Sequence, residues 1–275
     1  MKRNCLPIAL AILLAIIECG NLATAEAAAE AATYKVVEMN DPAMALEADA
    51  EALGLDLGKA EFAEDDFGFA SYSTDAYEIR RLKNSGYFTY ISKLTPWREC
   101  ERAEEPVGIE KIEEAALTLL EQLGLPFDQI RSVEVSRIAS QTEDEKGNAL
   151  GPEMTVGFLV YVLREIDGFR VFDSSAKVVF NVEGELHKVS LEWRQIDPSP
   201  IAYESVIDET TLWNTGIVAI FGNTAMTEDD WAQADFGYEE EEYRAEQSTM
   251  ELRYVFLYTK GEESFMMRES IAAIE

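Results

Sequence analysis

The stretch Val156-Gly157-Phe158-Leu159-Val160-Tyr161-Val162-Leu163-Arg164-Glu165-Ile166-Asp167-Gly168 decides the fold class. Val156, Phe158, Val160 and Val162 take every second position, the period of a strand with one face in a core. Asp167-Gly168 follows, a dipeptide suited to the positive-φ corner of a tight hairpin. Val178, Phe180 and Val182 resume the alternation, Glu183-Gly184 turns the chain again, and Val189, Leu191 and Trp193 finish it. Ser132 to Ile138 reads as a preceding strand, separated by a polar loop from Gln141 to Gly151. Short turns between successive strands imply antiparallel pairing.

Working outward, three helices are predicted with one grammar of starts and stops. Asp41 is a good N-cap and Pro42 fits the first helical position; Met44, Leu46 and Leu53 follow and Gly54 ends the helix. Ile109, Ile112, Ala116, Leu119, Leu120 and Leu123 repeat at helical spacing up to Gly124. Asp208 caps a third segment bearing Leu212, Trp213, Ile217 and Ile220, closed by Gly222. Strands are also expected at Phe67 to Ser73, Tyr77 to Leu82, Tyr87 to Ile91 (after an Asn84-Ser85-Gly86 turn) and Met250 to Tyr258, with a last apolar run near Ile271 and Ile274. The expected fold class is therefore α+β, built as tandem modules of one helix packed on an antiparallel sheet. Pro96 to Pro106 and Pro198 with Pro200 mark boundaries, dividing the chain into 1–25, 26–105, 106–200 and 201–275.

The first of these divisions is an export signal. Lys2 and Arg3 precede an apolar run from Leu6 to Ile17, and Ala23-Thr24-Ala25 forms a small-x-small cleavage site. The expected mature protein is periplasmic or extracellular. Glu18 stands where the lipobox of a lipoprotein needs a small residue, which weighs against a lipid on Cys19. No later apolar run is long enough for a stable membrane insertion. Once Cys5 and Cys19 leave with the signal, Cys100 remains without a possible internal disulfide, and it is read as a small apolar residue.

With 53 acidic against 23 basic residues the net charge is −30, which disfavours nucleic acid and anionic membrane surfaces as partners. The acidity keeps an exported protein soluble, suits a salty habitat, or attracts cations or a basic partner. Glu239 to Glu242 is the densest acidic run and is read as a solvated loop, with weak divalent cation or basic-partner binding as the other reading.

Catalytic signatures are sparse. His187 is the only histidine and ends an apolar strand face, so it is read as structural. Ser174-Ser175-Ala176-Lys177 matches S-x-x-K, but in strand context rather than at a helix start. Asp144 to Asn148 resembles a calcium loop whose third ligand position holds Lys146. No catalytic, metal or cofactor site is assigned. Fifty-three acids leave a carboxylate pair for glycoside hydrolysis open. Tyr77, Arg80, Arg81, Tyr87 and Tyr90 gather aromatic and cationic side chains on one hairpin and are the candidate partner-binding residues.

The middle segment resembles the PepSY-like modules of bacterial envelope proteins, themselves similar to the propeptides of thermolysin-type peptidases. The resemblance covers about residues 106–197. It is carried by Tyr161 to Phe172 with Gly168 and Val171 at the first turn, Ala176 to Val182, Gly184 at the second turn, and Val189 to Trp193; Glu183 replaces the usual Asp. The resemblance implies a PepSY/cystatin-like middle module and a non-catalytic protein that contacts or restrains an envelope protein such as a peptidase or sensor. The alternatives are an acid-residue hydrolase acting on polysaccharide and an acidic, salt-adapted or cation-binding structural protein.

Overall fold

The computed structural model describes residues 30–39, 41–83, 85–101, 106–142, 144, 146–147, 149–222, 226, 230–242, 245–260 and 266–274. The expected signal and its cleavage site lie outside them, as do Asn84, Glu145, Asn148, Glu228, Asp229 and Tyr243. No helix among the described residues is long and apolar enough to cross a membrane.

The three helices form where capping and periodicity place them: α1 at Pro42–Ala52, α2 at Ile109–Gln122 and α3 at Glu209–Phe221. Asp41 accepts the Met44 N–H at 3.0 Å, and Gly54, Gly124 and Gly222 leave the helices at φ 66°, 78° and 72°. Asp208 caps α3 by accepting the Thr211 N–H at 2.9 Å and its hydroxyl at 2.5 Å. These bonds, the hydroxyl's foremost, hold the Asp208 carboxyl below the ordinary aspartate range. A depressed folded-state pKa stabilises above the unfolded value, and that stabilisation is lost as pH falls through the folded one. The protection of α3 amides, referred to the intrinsic exchange rate at each pH, should therefore fall at acid pH in the native protein. Asp208→Asn, which still caps, should lack that step.

Strands dominate the rest. β1 (Glu30–Lys35), β2 (Glu61–Glu64), β3 (Phe69–Ser73), β4 (Tyr77–Leu82) and β5 (Tyr87–Ser92) come first. Then follow β6 (Ile130–Ser140), β7 (Met154–Ile166), β8 (Phe169–Asn181), β9 (Leu186–Glu192) and β10 (Ala202–Ser205). The last are β11 (Trp231–Glu239), β12 (Thr249–Met250), β13 (Leu252–Thr259) and β14 (Met267–Ala272).

Their assembly corrects the expectation of tandem α+β modules, the PepSY/cystatin-like middle module included. Eleven strands belong to one mixed sheet, in which β14-β13-β11-β8-β9-β5-β4-β3-β2 run in that order and β6-β7 join along the other edge of β8. β5, expected to close the first module, pairs with β9, expected to close the middle one: Phe88 lies opposite Leu191 and Tyr90 opposite Val189. A small sheet with one wet face still exposes two edges of unpaired N–H and C=O groups; joining edge to edge satisfies both. Helices α1 and α2 consequently cover the same face of one sheet. Leu46 and Ala50 of α1, Ile112, Ala116 and Leu120 of α2, and Phe158, Val160, Val162, Val178, Val189 and Leu191 share one core. Burial of each large side chain there contributes about 1.5–3 kcal/mol.

A second core forms beneath α3, where Leu212 and the buried ring of Phe256 meet Tyr238, Leu252 and Tyr254. β1 contributes Ala31, Ala32 and Tyr34 to it and pairs with β10 and β12 in a separate three-stranded sheet. The β7–β8 hairpin tip reaches this core: Tyr34 and Tyr238 hydroxyls donate to Asp167 at 2.7 and 3.3 Å. Asp167 itself sits at φ 53°, as its turn requires. The two cores thus meet along β8.

Candidate functional site

β8 changes partners midway along one edge. Arg170, Val171 and Phe172 pair in parallel with Gly237, Tyr238 and Glu239 of β11. Ser175 to Phe180 pair antiparallel with β9. The chain makes the transfer at Asp173, whose φ is 60°. On the opposite edge the β7 register shifts between Leu163 and Glu165, and such a bulge re-aims the side chain within it. Here that side chain is Arg164, which turns into the fork.

The fork is filled by charge. Arg164, Arg194 and Glu240 are 0%, 1% and 4% exposed. Glu240 Oε2 accepts Arg164 Nη1 at 3.3 Å, and Oε1 accepts the Arg194 backbone N–H at 3.0 Å. The Arg194 guanidinium pairs with the same carboxylate at 3.8 Å, and its Nη2 donates to the carbonyls of Glu241, Glu242 and Ala245 at 3.3, 2.9 and 2.8 Å. Arg164 Nε donates to the Gln129 side chain at 2.9 Å, and its guanidinium stacks 5.0 Å from the Trp193 ring. Ser174 Oγ donates to the Glu192 carbonyl at 3.1 Å, so the serine of the S-x-x-K match is a structural tie. Burial pushes the Glu240 carboxyl up while Arg164 pulls it back; burial pushes both guanidiniums down.

Outside this buried cluster opens a cleft of about 310 Å³ lined by Tyr87, Asp173, Glu192, Glu240, Glu241, Glu242 and Arg268. Arg268 is engaged at its wall: it pairs with Asp173, and with Glu239 at 2.8 Å. Glu241 and Glu242 are exposed, and Arg194 fixes their backbone at the mouth. Among the described residues no group of three or more His, Cys, Asp or Glu is placed to hold a metal ion.

This geometry corrects the reading of Glu239 to Glu242 as a solvated loop. Glu239 ends β11 half-buried, Tyr238 and Glu240 are buried, and Glu241 and Glu242 are exposed. The missed signal was the alternation of Ala232, Ala234, Phe236 and Tyr238, a strand period in a segment whose acids drew attention first.

The five residues predicted from the hairpin do not form one surface. Tyr77, Arg81 and Tyr90 share the helix-covered face. There the Tyr77 hydroxyl donates to the Asp56 carbonyl at 2.6 Å, Tyr90 is buried, and Arg81 makes a two-pronged pair with Asp49 of α1 at 2.7 and 2.8 Å. Arg80 lies on the other face, 3.6 Å from Asp65 and over the Phe69 ring at 4.8 Å. Tyr87 shares that face, and it alone of the five lines the cleft.

The remaining candidates are structural in their surroundings. His187 occupies the bulge where β9 slips against β8 and packs against Trp97, ring centroids 4.3 Å apart and tilted by 59°; burial, then Lys188, holds its imidazole below the ordinary range. Cys100 is half-buried and its backbone pairs with Thr155 at 2.9 Å in both directions. Asp144 closes a turn by accepting the Lys146 N–H at 2.8 Å.

No family model matches the chain, and no curated relative matches it. Among solved structures it is similar to the crystal structure of an uncharacterized protein from Eubacterium rectale ATCC 33656, with a TM-score of 0.51 and 10% identity over 89% of this chain and 83% of that one. At that identity the likeness is one of fold alone, and the eleven-stranded forked sheet is what this chain brings to the comparison.

Proposed function

We propose that this is an exported, non-catalytic binding protein that holds a basic segment of an envelope or extracellular protein, such as a peptidase or sensor, in the acidic cleft at the sheet fork. The observation that carries this reading is the cleft itself. Five carboxylate residues line it; Asp173 is paired with Arg268 and Glu240 with Arg164 and Arg194, so the negative charge offered to a ligand is that of Glu192, Glu241 and Glu242. Negative charge of this kind attracts a cationic side chain and steers its approach.

A carboxylate-lined cleft also invites a hydrolase reading, because a general acid needs a carboxyl raised by burial. Glu240 is raised, but both its oxygens already accept buried donors from Arg164 and Arg194. A carboxyl so tied is a keystone of the fold, poorly placed to give a proton to a glycosidic oxygen.

The test is capture of envelope proteins by immobilised mature protein, with two variants. Glu241→Gln/Glu242→Gln removes charge at the cleft mouth, and Glu113→Gln/Glu114→Gln removes equal charge from α2. A partner released by the first pair and retained by the second supports the proposal. Equal retention by both, or polysaccharide hydrolysis lost only in the cleft variant, overturns it.

A further inference from the structure

We infer that the free edge of β6 accepts an extended segment of a partner protein as an added strand, with lysine or arginine at every second position of that segment. This goes beyond the cleft and does not depend on it. β6 pairs with β7 on one side, and among the described residues no strand lies on its other side. Every second residue of β6 therefore turns an unpaired N–H and C=O outward. The other two free edges of the large sheet are blunted. β2 is short and exposed throughout, with Glu61 and Glu64 at its ends, and β14 carries Arg268 and Glu269. β6 has 11 residues and no proline, and between its two register shifts the run from Ser132 to Ile138 pairs regularly with β7. That run extends about 23 Å, room for about six or seven residues of a partner.

The side-chain preference comes from α2, which lies against β6 and β7. One flank of α2 faces the middle of the sheet: Ile112 reaches the turn between β8 and β9, 3.7 Å from where a Cβ on Gly184 would stand. The opposite flank carries Glu110, Glu113, Leu117 and Glu121 at helical spacing. It forms a groove of about 390 Å³ with Phe127, which stands just before β6 and is 45% exposed. Glu114 and Thr118 complete the lining, and no basic residue contributes to it. Val133 and Val135 are half-buried at the same margin, on the face that α2 covers.

A strand added beyond β6 places every second side chain on that face, beside the two valines and next to the groove. A lysine there lays its hydrocarbon stem along Val133, Val135 and Leu117 and carries its ammonium to the carboxylates. A second copy of this chain joined edge to edge is a poor occupant, since it would set its own α2 glutamates against these. Main-chain bonds supply the affinity of an added strand and side chains select it, so neutralising Glu113 and Glu114 alone leaves the strand in place.

Three labelled decapeptides of alternating lysine and threonine test this on the mature protein: one unmodified, one N-methylated on its lysines, one on its threonines. An added strand bonds through one edge only, so in fluorescence polarisation one methylated form should bind like the unmodified peptide and the other about tenfold more weakly. Hydrogen exchange locates the unmodified peptide: alternate amides from Ser132 to Ile138 should gain about tenfold protection at saturation. Both results should persist in Glu241→Gln/Glu242→Gln. Thr118→Lys/Glu121→Lys, at two exposed positions of α2, should weaken the unmodified peptide about fivefold and leave the melting temperature unchanged. Binding without protection of β6, equal effects of the two methylations, or no binding at all refutes the added strand, while the capture test of the cleft is untouched by any of these results.

Discussion

Replacing Glu240 with alanine lowers the unfolding free energy by about 3–5 kcal/mol, the range for breaking a buried charge pair from one side. The expectation follows from what the carboxylate holds. Two guanidiniums, from Arg164 on β7 and Arg194 beyond β9, are almost wholly out of water, and Glu240 is the acid between them. Alanine leaves both cations in the fork and removes the acceptor of the Arg194 backbone N–H. Unmade bonds to buried donors cost more than made ones contribute. Glu240→Gln keeps a carbonyl oxygen for one of the two donors and should cost less than alanine. Urea denaturation of the three proteins orders them; an alanine variant within 1 kcal/mol of the wild type, about the margin of an exposed ion pair, would remove the keystone role from Glu240.

The second large effect is expected at Gly86, immediately before β5. A Cβ built there would stand 2.0 Å from the carbonyl carbon of Trp193 and 2.2 Å from the Arg194 nitrogen. These are backbone atoms, so no side-chain rotation relieves the contact. Gly86→Ala should destabilise by about 3 kcal/mol, the upper end of ordinary overpacking. The displacement it forces falls on the peptide whose N–H bonds Glu240, so the Gly86→Ala and Glu240→Ala losses should be less than additive. Additive losses in a double-mutant cycle would mean that the two sites are mechanically separate. Gly216 offers a contrast, because its Cβ would meet the ring of Phe256, a side chain able to move at some cost in packing.

Much of the fold's local grammar was legible in the chain. Asp41, Asp208 and the glycines at 54, 124 and 222 bound helices because capping depends on neighbours within a few residues. The Asp167-Gly168 hairpin and the flanking alternation were equally readable, since φ preference and face are local properties. The candidate site was hardly legible. Tyr87 was singled out and does line the cleft, but Tyr77, Arg81 and Tyr90 went to the other face once the strand parity of β4 and β5 was fixed. Glu240 looked solvated because its partners, Arg164 and Arg194, are 76 and 46 residues away.

By itself the chain determined where the three helices begin and end, where the β7–β8 hairpin turns, and which face of β7 and β9 is apolar. Those choices are set by backbone sterics and the cost of wetting hydrocarbon, and both act between near neighbours. Only the tertiary structure decided that β5 lies beside β9, that β11 runs parallel to β8, and that β8 divides between them. Strand edges carry the same N–H and C=O groups in every sequence, so their pairing is chosen by the packing of whole faces. The burial of Arg164, Arg194 and Glu240 in one fork is a product of that choice.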